Sequence, residues 1–393
     1  MPKVKLSVKK VDVNYDVNQE ALGICIAAKQ AVILWGKPGQ GKTSVLTAMA
    51  KKMENTNLTT IIASLREPSD FAGLPNIVGN RACLVAPDWA YKIQEHGVKN
   101  PNNRDILFFD EISTAVPATQ AAMLRVILDK VVGDLALGDH VSIVAAANPT
   151  ELAADGWDLT PPMANRFVHL DWSLPAHVFV NGLSVGWPET PIPVVDKTKL
   201  EKELQEAKVI VSSFLHVKQD FITVMDEDNI SETSGAFMTP RSWETAATLY
   251  GWCKASSVSD DALHELMKGT LGVNYLEFLE FAAKLDLPDP NAIIADPSSW
   301  KIGERKDQTF SVALSILGAL KQNLTNERWI NGGKIMALMQ QAGEADVAVT
   351  FGLSWMEMRP NPQIMIDRDS LTTLAPIFKR MGLMPETVSS LGK

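Results

Sequence analysis

The segment Gly36–Thr43 narrows what this chain can fold into more than any other part of the sequence. It reads GKPGQGKT and satisfies the pattern G-x-x-x-x-G-K-[ST] at every fixed position. The apolar run Ala31–Trp35 precedes it, and the stretch Thr43–Met53, which has helical periodicity, follows it. A glycine-rich turn between a strand and a helix points backbone N–H groups and a helix dipole at an anion. The segment therefore predicts a phosphate-binding loop.

Each loop residue has an expected part in binding a nucleotide. The predicted contacts are Gly36, Lys37, Pro38, Gly39, Gln40, Gly41, Lys42, Thr43 and Ser44. Lys42 is expected to reach the β- and γ-phosphates, and the Thr43 hydroxyl to ligate Mg²⁺. The alternative is a glycine-rich turn with no ligand, but the flanking strand and helix favour a nucleotide.

A pair of carboxylates follows the apolar run Ile106–Phe109, which has the composition of a buried strand. Ligands bind at the carboxyl ends of parallel strands, where the phosphate loop is also expected. Asp110 is predicted to support Mg²⁺ through its water shell, and Glu111 to act as general base on the attacking water. Without the phosphate loop, this pair would be read as a solvated strand end.

Another strand pattern, Val141–Ala147, ends in Asn148 and Pro149. At the same edge of the sheet, Asn148 could hold the attacking water or contact the γ-phosphate. Asn-Pro is also a common turn opener, and this residue alone favours the turn.

The order of apolar runs and helical stretches predicts an α/β fold: a parallel sheet with helices on both faces, then helical regions. Proline and glycine between Asp171 and Pro193 predict an irregular connection. We expect a core over residues 1–180, a linker over 181–197, a helical region over 198–286 and a helical C-terminal extension over 287–393.

Composition restricts the class of protein further. The net charge is −9, so no whole-chain positive field draws the protein onto nucleic acid or an anionic membrane. The 3 cysteines exclude a disulfide framework and a four-cysteine zinc site, and the 6 histidines lack metal-ligand spacing. No apolar run is long enough to span a membrane, and no signal peptide is visible. We expect a soluble, cytoplasmic protein with no membrane partner.

Taken in order, these motifs resemble those of the AAA+ ATPases, and most closely the MoxR-like branch, over roughly residues 20–255. The matching segments are Gly36–Thr43 (Walker A), Glu67–Pro75, Phe108–Ile112 (Walker B), Thr119–Leu124, Ala145–Pro149 (sensor 1), Ala164–Phe167 and Thr239–Ser242 (sensor 2).

The resemblance implies hydrolysis of ATP with Mg²⁺ in a ring, with a hexamer as the expected size. Arg166 would be an arginine finger that completes a neighbour's site, and Arg241 would be the sensor 2 residue of the lid. The alternatives are a surface arginine before a strand and an ordinary helix start. Two departures from the family pattern are Asn165, where an Asp is usual, and Arg125, where an acidic residue is usual and which could be a second interface arginine.

The resemblance also implies a chaperone-like role: remodelling a protein client or inserting a metal cofactor, beside a partner with a von Willebrand A-type domain. The segments 67–89 and 132–138 read as hairpin-bearing inserts, with a turn at Gly79 and Asn80, and we expect them to contact a client or partner. The alternatives are a motor stimulated by nucleic acid, of the helicase or restriction-translocase type and possibly using GTP, and a nucleotide-gated scaffold without turnover.

Overall fold

The computed structural model describes residues 15–100, 102–149, 157–187, 192–224, 235–256, 258–361 and 363–382. These residues fall into two units. The first unit comprises Met1–Leu200 and Phe221–Leu276, and the second comprises Glu201–Asp220 and Glu277–Lys393, each within its described part.

The strands all belong to the first unit. They are β1 (Val32–Trp35), β2 (Thr56–Ile62), β3 (Leu74–Val78), β4 (Arg81–Val85), β5 (Arg104–Asp110), β6 (Val131–Val132), β7 (Leu135–Ala136), β8 (Val141–Ala147) and β9 (Val168–Asp171).

The helices extend through both units. They are α1 (Tyr15–Ala27), α2 (Lys42–Lys52), α3 (Ser69–Ala72), α4 (Asp88–Lys99), α5 (Pro117–Asp129), α6 (Pro161–Ala164), α7 (Ala176–Val185), α8 (Lys197–Val217), α9 (Pro240–Ser256), α10 (Asp260–Leu271), α11 (Tyr275–Lys284), α12 (Pro290–Ala295), α13 (Lys306–Gln322), α14 (Asn326–Gln341), α15 (Ala345–Glu357) and α16 (Arg368–Arg380).

A five-stranded sheet in the order β2-β5-β8-β1-β9 forms the centre of the first unit. All its pairings are parallel, and β8 is buried along its whole length because it lies in the middle of the sheet. Apolar strands of this kind have both faces covered by crossover helices. The α/β fold predicted from the sequence is confirmed, and the parallel pairing places the carboxyl ends of β1, β5 and β8 at one edge.

Both predicted hairpins are present. Strands β3 and β4 pair antiparallel around a turn in which Gly79 has a φ of 64°, and β6 pairs antiparallel with β7. The turn between β6 and β7 is joined to the end of β4: the Asp134 N–H donates to the Leu84 carbonyl (2.9 Å), and the Leu84 N–H donates to an Asp134 carboxylate oxygen (2.8 Å). A substituent at Gly73 would lie 2.8 Å from the Cα of Gly133, so only glycine allows this approach.

Helix α7 lies inside the stretch where proline and glycine predicted an irregular connection. Pro175 precedes its first residue, and Gly186, with a φ of 110°, follows its last. Proline just before a helix and glycine just after it are compatible with helical structure between them. The prediction of an irregular segment was therefore wrong for residues 176–185.

The second unit has an all-helical core around two tryptophans. Trp329 on α14 and Trp355 on α15 stack with ring centroids 4.2 Å apart. Each indole N–H donates to the other residue's carbonyl, at 3.1 and 2.8 Å. Gly332 leaves room for the Trp355 ring, since a Cβ there would lie 2.7 Å from its Nε1. Across the described parts of both units, no helix is long and apolar enough to cross a membrane.

Candidate nucleotide site

The phosphate loop is held in shape from both sides. Gly39 and Gly41 have φ values of 77° and 75°, which side chains rarely adopt. Gly36 packs against the backbone after β9, where a Cβ would lie 2.2 Å from the Trp172 carbonyl oxygen. The Gln40 side-chain oxygen accepts a hydrogen bond from the Leu174 N–H (2.9 Å). The turn expected from the glycines is therefore formed, and its contacts with the segment after β9 stabilise it.

Lys42 closes the loop from its base. Its ammonium donates to the carbonyls of Gly36 and Lys37 (3.2 Å for the second) and to the side-chain oxygen of Asn148 (3.0 Å). Burial lowers the pKa of Lys42, while Asp110 and Glu111 act in the opposite direction. Asn148, which the sequence alone favoured as a turn residue, lies within hydrogen-bond reach of the loop lysine.

Thr43 and Asp110 form the second link between the loop and the sheet edge. The Thr43 hydroxyl donates to a carboxylate oxygen of Asp110 at 2.9 Å. A hydroxyl and a carboxylate are hard oxygen ligands of the kind that Mg²⁺ prefers, so the pair fits this metal. The described residues contain no group of three or more His, Cys, Asp or Glu able to hold a metal. The remaining ligands would come from phosphate oxygens and water.

Glu111 directly follows Asp110 with left-handed backbone angles, φ 56° and ψ 41°. Such angles are strained for a residue with a side chain, and strain of this kind concentrates at functional sites. The exposed carboxylate accepts one hydrogen bond, from the Ser64 hydroxyl at 3.3 Å. It is therefore free to accept a proton from a water molecule.

Arg166 and Arg241 lie near enough to each other for their charges to interact. The Arg166 guanidinium donates to the Pro162 carbonyl, and its buried Nε has no partner among the described residues. Burial lowers the pKa of Arg166, and the positive charge of Arg241 lowers it further. In the described part of the chain, no hydrogen bond or ion pair joins either arginine to the loop, to the acidic pair or to Asn148.

Asn165 explains why the two arginines are neighbours. Its amide N–H donates to the Phe237 carbonyl (3.2 Å), and its oxygen accepts from the Thr239 hydroxyl (2.8 Å). An asparagine can make both bonds, whereas an aspartate could only accept. The departure at this position thus connects the Arg166 segment with the start of α9.

Arg125 is engaged in its own hairpin region, where its guanidinium donates to the Gly133 carbonyl at 2.9 Å. This contact connects α5 with the β6–β7 turn. The sequence left open whether Arg125 is an interface residue. Its hydrogen bond to Gly133 shows that it stabilises a contact within the chain.

A cavity beside the loop was missed at the sequence level. It has a volume of about 230 Å³ and is lined by Gln19, by loop and α2 residues, and by Phe179 and Trp187. No motif marks Gln19 or the two aromatic residues, because they approach the loop only in the folded chain.

Comparison with protein families agrees with this geometry. Residues 31–167 match the family model of the AAA domain (dynein-related subfamily). That region has the AAA P-loop NTPase fold. A solved structure described as that of a presumed ATPase from Cytophaga hutchinsonii is similar, with 14% identity, a TM-score of 0.41, and coverage of 69% of this chain and 89% of that one. No curated protein sequence matches the chain. The matched region contains the phosphate loop, the acidic pair, Asn148 and Arg166.

Proposed function

We propose that this protein hydrolyses ATP with Mg²⁺ in a ring of AAA+ subunits of the MoxR-like branch and couples hydrolysis to remodelling of a protein client. The observation that carries the proposal is the pair of hydrogen bonds that joins the three motifs. Thr43 reaches Asp110, and Lys42 reaches Asn148, at 2.9 and 3.0 Å. Loop, acidic pair and polar strand end thus meet at one edge of the sheet.

Each residue has a chemical part in this proposal. Lys42 stabilises the negative charge that develops on the phosphoryl group, and Asn148 orients the attacking water. Glu111 accepts the proton of that water. A magnesium ion held by Thr43 and Asp110 would neutralise charge on the phosphate oxygens.

A ring accounts for the position of the arginines. Among the described residues, no hydrogen bond or ion pair joins Arg166 or Arg241 to the loop of their own chain, yet Arg166 keeps an unpaired, buried Nε near a second positive charge. Anionic phosphate from an adjacent subunit would relieve that repulsion. We therefore assign Arg166 to the neighbour's site, where an arginine finger is worth about 10³–10⁵ in rate in GTPases, and keep Arg241 as the proposed sensor 2 residue of the lid.

The client-remodelling role is supported by the β3–β4 hairpin. Its side chains Leu74, Ile77 and Val78 are 63%, 77% and 60% exposed, which leaves apolar surface open to a protein segment. The role in metal-cofactor insertion and the partner with a von Willebrand A-type domain rest on the MoxR-like resemblance. A nucleic-acid motor is not favoured, because the net charge is −9.

The test is ATP turnover by the purified chain, with particle mass measured in the same sample. We expect turnover in a nucleotide-dependent ring. Lys42→Ala should abolish it, and Glu111→Gln should retain ATP binding but reduce turnover by about 10²–10⁴. Unchanged turnover in Glu111→Gln would contradict the general-base assignment.

Mixing two inactive variants tests the arginines. Arg166→Ala subunits keep the loop and Lys42→Ala subunits keep the arginine, so a mixed ring contains complete sites and should regain turnover. Arg125→Ala is the matched comparison, and it should be active without mixing because Arg125 contacts its own hairpin. No recovery in the Arg166→Ala mixture would count against a site shared between subunits.

A further inference from the structure

The second unit contains a cavity of about 330 Å³ that no sequence motif marked. It lies between residues 286–289, helix α12, residues 299–305 and the first turns of α13. Its volume is at the lower end of the roughly 300–1,000 Å³ that is typical of ligand pockets. The cavity therefore has room for one small organic molecule.

Hydrogen bonds within the protein hold the walls of this cavity in place. The Arg305 guanidinium donates to the Asp307 carboxylate (3.3 Å from Nε) and to the Lys284 carbonyl (3.2 Å). The Gln308 amide donates to the Asp286 carbonyl at 3.1 Å. The hydrogen bonds from Arg305 lower the pKa of Asp307, so these two opposite charges are already paired. The cavity is thus formed without a ligand.

One side of the cavity is apolar. Ile293 on α12 and Val312 on α13 are 3% and 1% exposed, and they form an apolar floor. The half-buried Trp300 also lines the cavity and packs against the core of this unit. Apolar surface gains free energy when it leaves water for such surroundings. This side of the cavity favours a ligand with an apolar body.

Three charged side chains line the cavity without an opposite charge of their own. Within the described part of the second unit, Asp286, Asp289 and Lys301 form no ion pair. One carboxylate oxygen of Asp289 accepts a hydrogen bond from the Asn291 N–H at 2.9 Å, and this bond leaves the charge unpaired. A ligand with both a positive and a negative group would meet a counter-charge for each of them.

These charges restrict the class of ligand further. A polyphosphate or a nucleic acid would bring several negative charges next to two carboxylates. A simple amine would leave Lys301 without a counter-charge, and a fatty acid would place its carboxylate beside Asp286 and Asp289. A small molecule with an ammonium group, a carboxylate and an apolar body matches both the charges and the apolar floor.

We propose that this cavity of the second unit binds a free α-amino acid with a large apolar side chain. Its ammonium group would lie between Asp286 and Asp289, its carboxylate on Lys301, and its side chain on Trp300 and the apolar floor. None of the residues assigned to the nucleotide belongs to this unit, so amino-acid binding is independent of the proposed ATP hydrolysis. The helical C-terminal region thereby gains a function of its own, the recognition of a small molecule.

Calorimetry on the full chain tests the proposal with L-leucine, N-acetyl-L-leucine and L-leucinamide. We expect L-leucine to bind. N-acetyl-L-leucine lacks the ammonium group and L-leucinamide lacks the carboxylate, so each should bind about tenfold more weakly, the effect of one charged hydrogen bond. Glycine has both charges but no apolar side chain, and it should also bind more weakly than L-leucine.

Two substitutions assign each ligand charge to a side chain. Asp289→Asn keeps the hydrogen bond at the start of α12 and should weaken L-leucine about tenfold without weakening N-acetyl-L-leucine further. Lys301→Gln should weaken L-leucine but not L-leucinamide. Glu304→Gln and Lys306→Gln are matched controls, since these exposed neighbours do not line the cavity, and they should leave all affinities unchanged.

Melting temperatures show whether a lost affinity reports a lost contact. Asp289 and Lys301 are exposed, so both variants should melt with the unsubstituted chain. Failure of the unsubstituted chain to bind L-leucine or L-phenylalanine would overturn the proposal. So would derivatives that bind as tightly as L-leucine, because the two charges would then have no part in binding. An L-leucine affinity that neither Asp289→Asn nor Lys301→Gln changes would exclude this cavity as the site.

Discussion

Both edges of the parallel sheet carry polar side chains, but these side chains differ in their exposure and in their hydrogen-bond partners. At the carboxyl edge, Thr43 and Glu111 are exposed and Asp110 is half-buried, with hydrogen bonds that a ligand can replace. At the amino edge, Asp105 is 1% exposed, and one of its carboxylate oxygens lies 2.9 Å from His96 Nδ1 and 3.0 Å from His140 Nε2.

The polar side chains at the amino edge form hydrogen bonds within the protein. Lys29 donates to the His140 carbonyl (3.0 Å) and to the Ser142 hydroxyl (3.2 Å), which joins the start of β8 to the residues before β1. Gly97 allows this packing, since a Cβ there would lie 2.2 Å from the His140 ring. Ionisable residues in a cluster therefore do not by themselves indicate a site. What separates the two edges is access to solvent and to a ligand.

The largest expected effect on stability comes from replacing one carboxylate at each edge with alanine. Asp105→Ala removes the buried acceptor shared by two partly buried imidazoles and should cost about 3 kcal/mol or more of stability. Asp110→Ala removes a more accessible group and should cost less than about 1 kcal/mol, yet abolish turnover. Urea unfolding and ATP turnover measure the two effects.

Asp105→Asn is the conservative companion and should recover part of the lost stability, because it keeps an acceptor at the same place. Equal destabilisation by Asp105→Ala and Asp110→Ala would show that the edges do not differ in the way described.

The contrast also explains what the sequence could predict. The loop, the acidic pair and Asn148 were recognisable because one short motif and the ends of apolar strands fix their relative positions in any parallel sheet of this kind. The link between His96 and His140 through Asp105 has no such local signature. It depends on α4 packing against the sheet, and no spacing in the sequence reports that contact.

The same reasoning applies to Gln19 and to α7. The sequence of α1 does not mark Gln19, because this residue reaches the cavity beside the loop only in the folded chain. Helix α7 was missed because its flanking proline and glycine were read as breaking the whole stretch rather than bounding it. The positions of Arg166 and Arg241 likewise depend on the hydrogen bond between Asn165 and Thr239, two residues that are far apart in the chain.

The imidazole of His169 provides a prediction of intermediate size. His169 accepts a hydrogen bond from the Trp35 indole N–H at Nδ1 (2.9 Å) and donates from Nε2 to the Ala164 carbonyl (2.9 Å), which assigns the neutral Nε2–H tautomer. Burial lowers its pKa to about 4. The hydrogen bond to the Ala164 carbonyl and the charge of Asp171 act in the opposite direction, but burial outweighs both.

Stability should therefore fall as pH drops below about 6.5, the pKa of an unfolded histidine, and continue to fall to about pH 4. In that window the unfolded chain binds a proton that the folded chain does not. The share of His169 is roughly 3 kcal/mol at the acid end. His169→Gln should flatten this part of the profile, measured by urea unfolding at several pH values. The exposed His177→Gln should leave it unchanged, and an equal slope in both variants would contradict the assignment.

The smallest expected effect concerns the backbone of Glu111, because only the carboxyl edge places a functional side chain on strained backbone. Its left-handed angles, φ 56° and ψ 41°, cost a non-glycine residue about 1–2 kcal/mol. Glu111→Gly relieves that strain but adds freedom to the unfolded chain, so the net gain in stability should be about 0.5–1 kcal/mol. Turnover should be lost because the proposed general base is gone.

Lys130, with a φ of 54° at the end of α5, is the matched control. Lys130→Gly should give a similar gain, since glycine is the favoured residue at that position of a helix end, and turnover should persist. Comparing the two glycine variants with Glu111→Gln isolates strain from chemistry. If Glu111→Gly lost stability while Lys130→Gly gained it, the contact of Glu111 with Ser64 would outweigh its strain. The carboxyl edge would then be held together by its functional side chains, as the amino edge is by Asp105.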